Sequence, residues 1–304
     1  MDAERLRTPP PSGPARRAEW EPAISSWHTA RSLHEEGDGR QHLGVGRGGG
    51  QWRRMTAADL LSAITRCPVV DRCREGERLA CSTIVASQAH HVAAFQVPEP
   101  WSGHLKAAPL LFVSSNPSID HAEVYPTASW TNAARVDFFY GRFDPRPEGA
   151  WIDDRMRARH VDPAGQPSRG TTFWLATRAR ARELLDPPVV PGVDYALTEV
   201  VHCKSQEQPG VAEAAAVCVS RWLRPVMRLA AARVVVLMGR QAQQAFLNTY
   251  PGLAATTWSG PHDLEGRLRM ILRLPHPNAR VRRANCAPLT LDELEATRAY
   301  LRGA

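Results

Sequence analysis

Three short apolar runs in this chain end in residues able to do chemistry. Leu110–Ser114 leads into Ser115-Asn116-Pro117-Ser118, and the run 194–201 carries Glu199 and leads into His202-Cys203-Lys204. Met270–Leu274 leads into Pro275-His276-Pro277-Asn278. An asparagine amide can position a water or a substrate, an imidazole can give or take a proton, and an ionised carboxylate accepts hydrogen bonds only. Apolar runs of this length, bounded by turn residues, read as buried strands. In an open α/β sheet, ligands bind in the crevice outside the carboxyl ends of the strands. Asn116, Glu199 with Cys203, and His276 would then meet at one edge, the pattern of an active site. Asn-Pro is also a common turn dipeptide, so Asn116 alone would mark no more than a strand-to-turn connection.

Six cysteines stand at 67, 73, 81, 203, 218 and 286. In a chain read as cytoplasmic they suit metal ligation or buried thiols better than a disulfide framework. Cys286 reads as structural.

The elements that must carry these residues follow from the pattern. A helix over 55–64 opens with Thr56 as N-cap, and further helices are expected over 82–95, 172–185, 211–231, 240–248 and 291–302, the last capped by Thr290. Strands are expected at 109–114, 194–201, 233–238 and 270–274. Strands alternating with helices predict an α/β protein, a three-layer α/β/α sandwich around a central four-stranded parallel sheet. Residues 53–304 form one domain in this reading. Residues 1–52, rich in Pro, Gly and Arg, form a leader whose composition cannot bury enough apolar surface to offset ordering entropy. The tract Asp137-Phe-Phe-Tyr-Gly-Arg-Phe143 offers rings that could sandwich a flat heterocycle, though core packing is the better account of most of them.

The formal charge of +7 and pI near 9.4 favour an anionic partner, nucleic acid first. Only Lys106 and Lys204 among the 38 basic residues are lysines, a bias that fits an Arg-rich coding style as well as function. No apolar run approaches the ~20 residues of a membrane helix, and the N-terminus lacks a signal-peptide core. A cytoplasmic monomer is expected. No Gly-x-Ser-x-Gly elbow, P-loop or Gly-x-Gly-x-x-Gly opens a helix, which argues against an unrelated hydrolase or nucleotide-binding protein.

Ser115-Asn116-Pro117-Ser118 resembles the Gly-x-Asn-Pro-Gly motif of the uracil-DNA glycosylase superfamily. Thr198-Glu-Val-Val-His-Cys-Lys204 is similar to the Asn-Val-Val-Lys-Cys-Arg-Pro segment of its iron–sulfur branch (the family 4/5-like members), and Val234–Ala242 to that branch's Val-x-x-Leu-Gly-x-x-Ala strand and helix. His276-Pro277-Asn278 resembles the closing His-Pro-Ser motif. The resemblance covers roughly residues 65–285. It implies a base-excision DNA glycosylase that flips a uracil or other deaminated or damaged base out of the stack and hydrolyses its N-glycosidic bond. Asn116 would orient the attacking water and His276 would donate to the departing base. Ser115, Ser118 and the region around them would shape the pocket, Phe139 would stack on the base, and Tyr125 would restrict access. Asn278, Arg280, Arg282 and Arg283 would face DNA phosphates. The resemblance also implies a [4Fe-4S] cluster on four of Cys67, Cys73, Cys81, Cys203 and Cys218, with zinc on the same sulfurs as the alternative. The family's tight Cys-x-x-Cys is missing here. Glu199 replaces the asparagine that reads the uracil edge, which leaves the excised base open; the chain could also be a non-catalytic, cluster-bearing nucleic-acid-binding relative.

Overall fold

A computed structural model of the chain describes residues 55–146, 149–279 and 286–303, all within the compact unit Gly49–Ala304. The expected leader at 1–52, together with Arg280, Arg282 and Arg283, lies outside the described residues.

The core is a mixed sheet of strands β1 (Leu110–Ser114), β2 (Tyr195–Glu199), β3 (Val234–Met238), β4 (Trp258–Asp263) and β5 (Leu268–Leu274), in the order β2-β1-β3-β5-β4. The pairs β1·β2, β1·β3 and β3·β5 are parallel, with Ser114 opposite Glu199 and Met238 opposite Leu274. These strands are mostly apolar because both faces are covered, with polar residues chiefly towards their ends. Leu111, Val113, Ala196, Val235, Leu237 and Ile271 belong to the core on one face. Leu110, Phe112, Tyr195, Leu197, Val236 and Leu272 belong to the core on the other. The expected four parallel strands are present, and a fifth, antiparallel strand extends the sheet. β4 reads Trp-Ser-Gly-Pro-His-Asp, half exposed and broken by a bulge between Ser259 and His262, so neither apolar continuity nor clean alternation announces it.

Helices α1 (Ala57–Thr65), α2 (Pro68–Arg74), α3 (Ser82–Ser87), α4 (Asn132–Tyr140), α6 (Val211–Cys218), α7 (Arg224–Leu229) and α8 (Arg240–Thr249) pack on the first face. Helices α5 (Thr172–Leu184) and α9 (Leu291–Arg302) pack on the second. The expected caps form: Thr56 with Asp59, and Thr290 with Glu293, make reciprocal capping boxes.

Besides α2, which the sequence pattern did not announce, three helices differ from it. The helix expected over 82–95 stops after a short turn at His90, because the Gln88 amide bonds both backbone groups of Gln96 and folds the chain back. The single helix expected over 211–231 widens at Val219–Leu223 between α6 and α7. Pro225 explains this, since it cannot donate to the preceding turn and its ring crowds the carbonyl there. Within the aromatic stretch, α4 forms behind a Thr131 N-cap and turns Phe138 and Phe139 into the core.

Candidate functional site

Asn116 lies two residues beyond β1, in a turn tied to the segment after β2. The two segments stay hydrogen-bonded past the strand ends, with Val200 N–H on Ser114 O and Val201 N–H on Ser115 O. Ser205 N–H then bonds Pro117 O. The Asn116 side chain is 9% exposed and donates from Nδ2 to Ser205 Oγ at 2.9 Å and to Pro117 O at 3.1 Å. Its Oδ1 receives only a long contact from Ser115 Oγ, 3.4 Å, and Ser115 Oγ in turn accepts from Gln208 Nε2 at 3.0 Å. The amide is therefore held by its donor end and keeps acceptor capacity. That is the polarity needed to accept a proton of a positioned water.

His276 lies two residues beyond β5, on the far side of β3. Two strand spacings put the turns carrying Asn116 and His276 about 10 Å apart along one sheet edge. The imidazole stacks on Phe173 of α5, with ring centroids 5.7 Å apart and planes 29° apart. Its Nδ1 accepts the Asn278 N–H at 3.2 Å, so the ring proton of the neutral form resides on Nε2. Burial, helped by the nearby Arg180 charge, lowers the His276 pKa, keeping the ring neutral and a donor at Nε2. Gly239, at the end of β3 with φ 89°, makes this fit possible: a Cβ there would meet His276 Cβ at 3.0 Å.

Glu199 closes β2 opposite Ser114, and strand alternation puts both on the face that packs against α5. Glu199 is 5% exposed, and its Oε2 has no hydrogen-bond partner; neither has the buried Ser114 Oγ. Beside it runs a buried ionic network. Arg142 bridges Glu99 and Glu123, Lys204 bonds Glu123 at 3.0 Å, and Tyr125 O–H donates to Glu99. Burial raises the Glu199 pKa well above the ordinary carboxylate value, and the Glu99 charge raises it further.

A family model described as the uracil DNA glycosylase superfamily matches residues 101–301. The chain belongs to that superfamily. The matched span holds β1 to β5 and with them Asn116, Glu199 and His276. Among curated proteins no sequence matches this chain.

In this uracil-DNA glycosylase superfamily member a second constellation lies in the core on the first face of the sheet. Cys67, Cys81, Cys203 and Cys218 line one small cavity with Arg221 and Trp222. Cys67 precedes α2, Cys81 precedes α3, Cys203 follows β2, and Cys218 ends α6, so four separate segments converge. The His202 N–H points at Cys218 Sγ, 3.4 Å away. Burial pushes the Cys81 thiol up to about 11 and raises the Cys203 and Cys218 thiols well above the ordinary value, the Arg221 charge opposing this only in part at Cys81 and Cys218. Cys73 does not line the cavity; it is half-buried and receives a hydrogen bond from Ser82. Among the described residues, no three His, Cys, Asp or Glu side chains converge as a single metal ion would require. Cys286 is buried in the opposite core, its N–H on Glu183.

Of the other expected site residues, Ser118 is exposed and pairs with Ser205, and Asn278 is exposed beside His276. Phe139 offers no ring face to a base. It is fully buried among Tyr125 and Phe138, because the helical turn of α4 points it inward. Tyr125 is likewise internal, beneath the Lys204 ammonium. Sequence reasoning missed Ser205, Gln208 and Phe173. Their only signal is position: the first two follow a strand end already marked, and Phe173 opens a helix.

Proposed function

We propose that this protein is a DNA glycosylase of base excision repair, which hydrolyses the N-glycosidic bond of a flipped-out uracil or other deaminated base. The observation that carries the reading is the pair of strand-end groups with matched polarity. Asn116 is held so that Oδ1 can accept from a water, and His276 is held neutral with its proton on Nε2. An amide is too weak a base to remove a proton, so Asn116 acts by orientation. As the bond from C1′ to the base nitrogen lengthens, negative charge collects on the base and its carbonyl oxygen, where the Nε2–H donates. Water oxygen bonds C1′, and the water's proton ends on the released base. Cost favours extruded bases that pair weakly, since unstacking takes a few kcal/mol.

Cys67, Cys81, Cys203 and Cys218 would hold a [4Fe-4S] cluster, with Cys73 outside the ligand set. The donor set fits: four thiols from four segments, an apolar cavity and an N–H···S bond onto Cys218. Each thiolate of such a cluster caps a different iron, so the sulfurs need not converge on one point as they do around zinc. The cluster would tie the segment before β1 to the loop after β2 and do no chemistry on the base. The basic balance of the chain suits a DNA partner. Among the described residues no helix is long and apolar enough to cross a membrane.

The test is a base-release screen on purified protein, using duplexes and single strands that carry uracil, hypoxanthine, xanthine or 5-substituted pyrimidines, read as alkali-labile abasic sites. An iron assay runs alongside. Release from at least one substrate, lost in Asn116→Ala, is the expected result; no release from any of them removes the glycosylase reading in favour of a binding protein of the same fold.

A further inference from the structure

The carboxyl group of Glu199 leaves a charge count that its neighbours do not balance. Arg142, from the loop after α4, pairs with Glu99 and Glu123, and Lys204, from the loop after β2, pairs with Glu123. All four side chains are 7% exposed or less, so the network is a closed set of two cations and two carboxylates. No cation of this set is left for a third buried carboxyl. The Oε2 atom of Glu199 has no partner, and an ionised group in that position would be a buried, unpaired charge. Its register neighbour, Ser114, also has a buried hydroxyl without a partner. Two orphaned polar atoms side by side, at the edge where Asn116 and His276 emerge, are what an incoming base edge would satisfy.

We propose, resting on the glycosylase reading above, that Glu199 meets the extruded base as a neutral carboxylic acid, its O–H donating to a base carbonyl and its C=O accepting from the adjoining ring N–H. Deamination creates that edge, since it replaces an exocyclic amino group with a carbonyl and puts hydrogen on the neighbouring ring nitrogen. An ionised Glu199 would set an acceptor against that carbonyl and repel it. The groups facing Glu199 agree. Burial is the leading influence on its titration, Glu99 acts in the same direction, and Arg142 and Lys204 act against them while spent on their own partners. A neutral acid can carry its proton on either oxygen, so Glu199 admits the carbonyl edge without strictly excluding an amino edge. The amide found at this position in the resembling proteins has its donor and acceptor fixed.

Two readouts test this. First, the infrared difference between wild type and Glu199→Gln at neutral pH should contain the carbonyl stretch of a protonated carboxylic acid; this needs no activity. Second, affinity is measured for a duplex bearing uncleavable 2′-fluoro-2′-deoxyuridine, relative to the same duplex with 2′-fluoro-2′-deoxycytidine, from about pH 6 up to the pH at which the infrared band is lost. The wild-type ratio should fall about tenfold or more as Glu199 ionises, while Glu199→Gln keeps a flat ratio and Glu199→Ala loses it at every pH. Absence of the infrared band at neutral pH, a wild-type ratio that stays constant across the pH at which that band is lost, or the same fall in Glu199→Gln overturns the proposal. Failure of base release from every substrate of the screen, with both signatures present, would refute the glycosylase reading and leave the neutral reader standing.

Discussion

Replacing Ser205 with alanine removes one oxygen that touches neither the sugar nor the base, yet it should slow excision. Ser205 Oγ is the 2.9 Å acceptor for Asn116 Nδ2, and both groups are buried. Without it the amide keeps only Pro117 O, and a donor in a dry site loses its partner, at a cost of about 1–3 kcal/mol. The carboxamide can recover part of this by rotating, which turns Oδ1 away from its water. If half to all of that cost appears in the barrier, the rate falls roughly 2- to 160-fold, at 1.36 kcal/mol for each factor of ten. Single-turnover base release at saturating enzyme isolates the step. The loss should fall on the chemical rate, with DNA affinity within about twofold, because Ser205 is 2% exposed and cannot reach the duplex. Ser205→Thr, which restores the hydroxyl, should recover most of the rate. An unchanged rate in Ser205→Ala, or a loss matched in affinity and not rescued by threonine, would refute this role for the serine.

Other outcomes follow from the same geometry. His276→Phe keeps a ring against Phe173 but removes the Nε2–H donor, so excision should fall about 100-fold or more in the same assay with little change in Tm. Because the His276 pKa is lowered, acid should inhibit only below the ordinary histidine range, as the pH–rate profile would record. Cys203→Ala should lose bound iron and lower Tm, whereas Cys73→Ala, outside the cavity, should retain iron within error of wild type; equal losses would contradict the ligand set. The pKa of Glu199 is raised on folding, so the folded state binds that proton more tightly than the unfolded chain does. Its stabilising effect is complete below the unfolded carboxylate value of about 4.3 and is lost as pH climbs towards the folded value. Wild type should therefore lose stability relative to Glu199→Gln as pH rises, measured by denaturant unfolding at several pH values.

The sheet was legible because its inner strands are buried on both faces and read as unbroken apolar runs that stop at polar turns. Asn116, Glu199 and His276 stood out for the same reason, each at or just beyond such a stop. β4 did not, since an edge strand with a bulge has no solid apolar signature. The ionic network was invisible because its pairs are far apart in sequence, 43 residues for Arg142 with Glu99 and 81 for Lys204 with Glu123, and nothing local links them. Which of the first three cysteines share a cavity was likewise hidden in the sequence, because it depends on Cys67 heading α2 and Cys81 heading α3 while Cys73, within α2, meets Ser82. Phe139 shows the opposite error. Ring type suggested a stacking platform, while the Thr131 cap and the helical repeat that follows it already pointed that ring inward.

The rims of the sheet are finished in a way that bears on assembly. On one side β4 bends at its bulge and carries Pro261, which has no N–H to offer. On the other, Ser102 exchanges both backbone hydrogen bonds with Leu197 of β2 and so occupies that margin. Neither border presents the long flat row of open amides on which a stray peptide, or a second molecule, could add itself as one more strand. Concentrated solutions of the folded protein should therefore resist edge-to-edge aggregation.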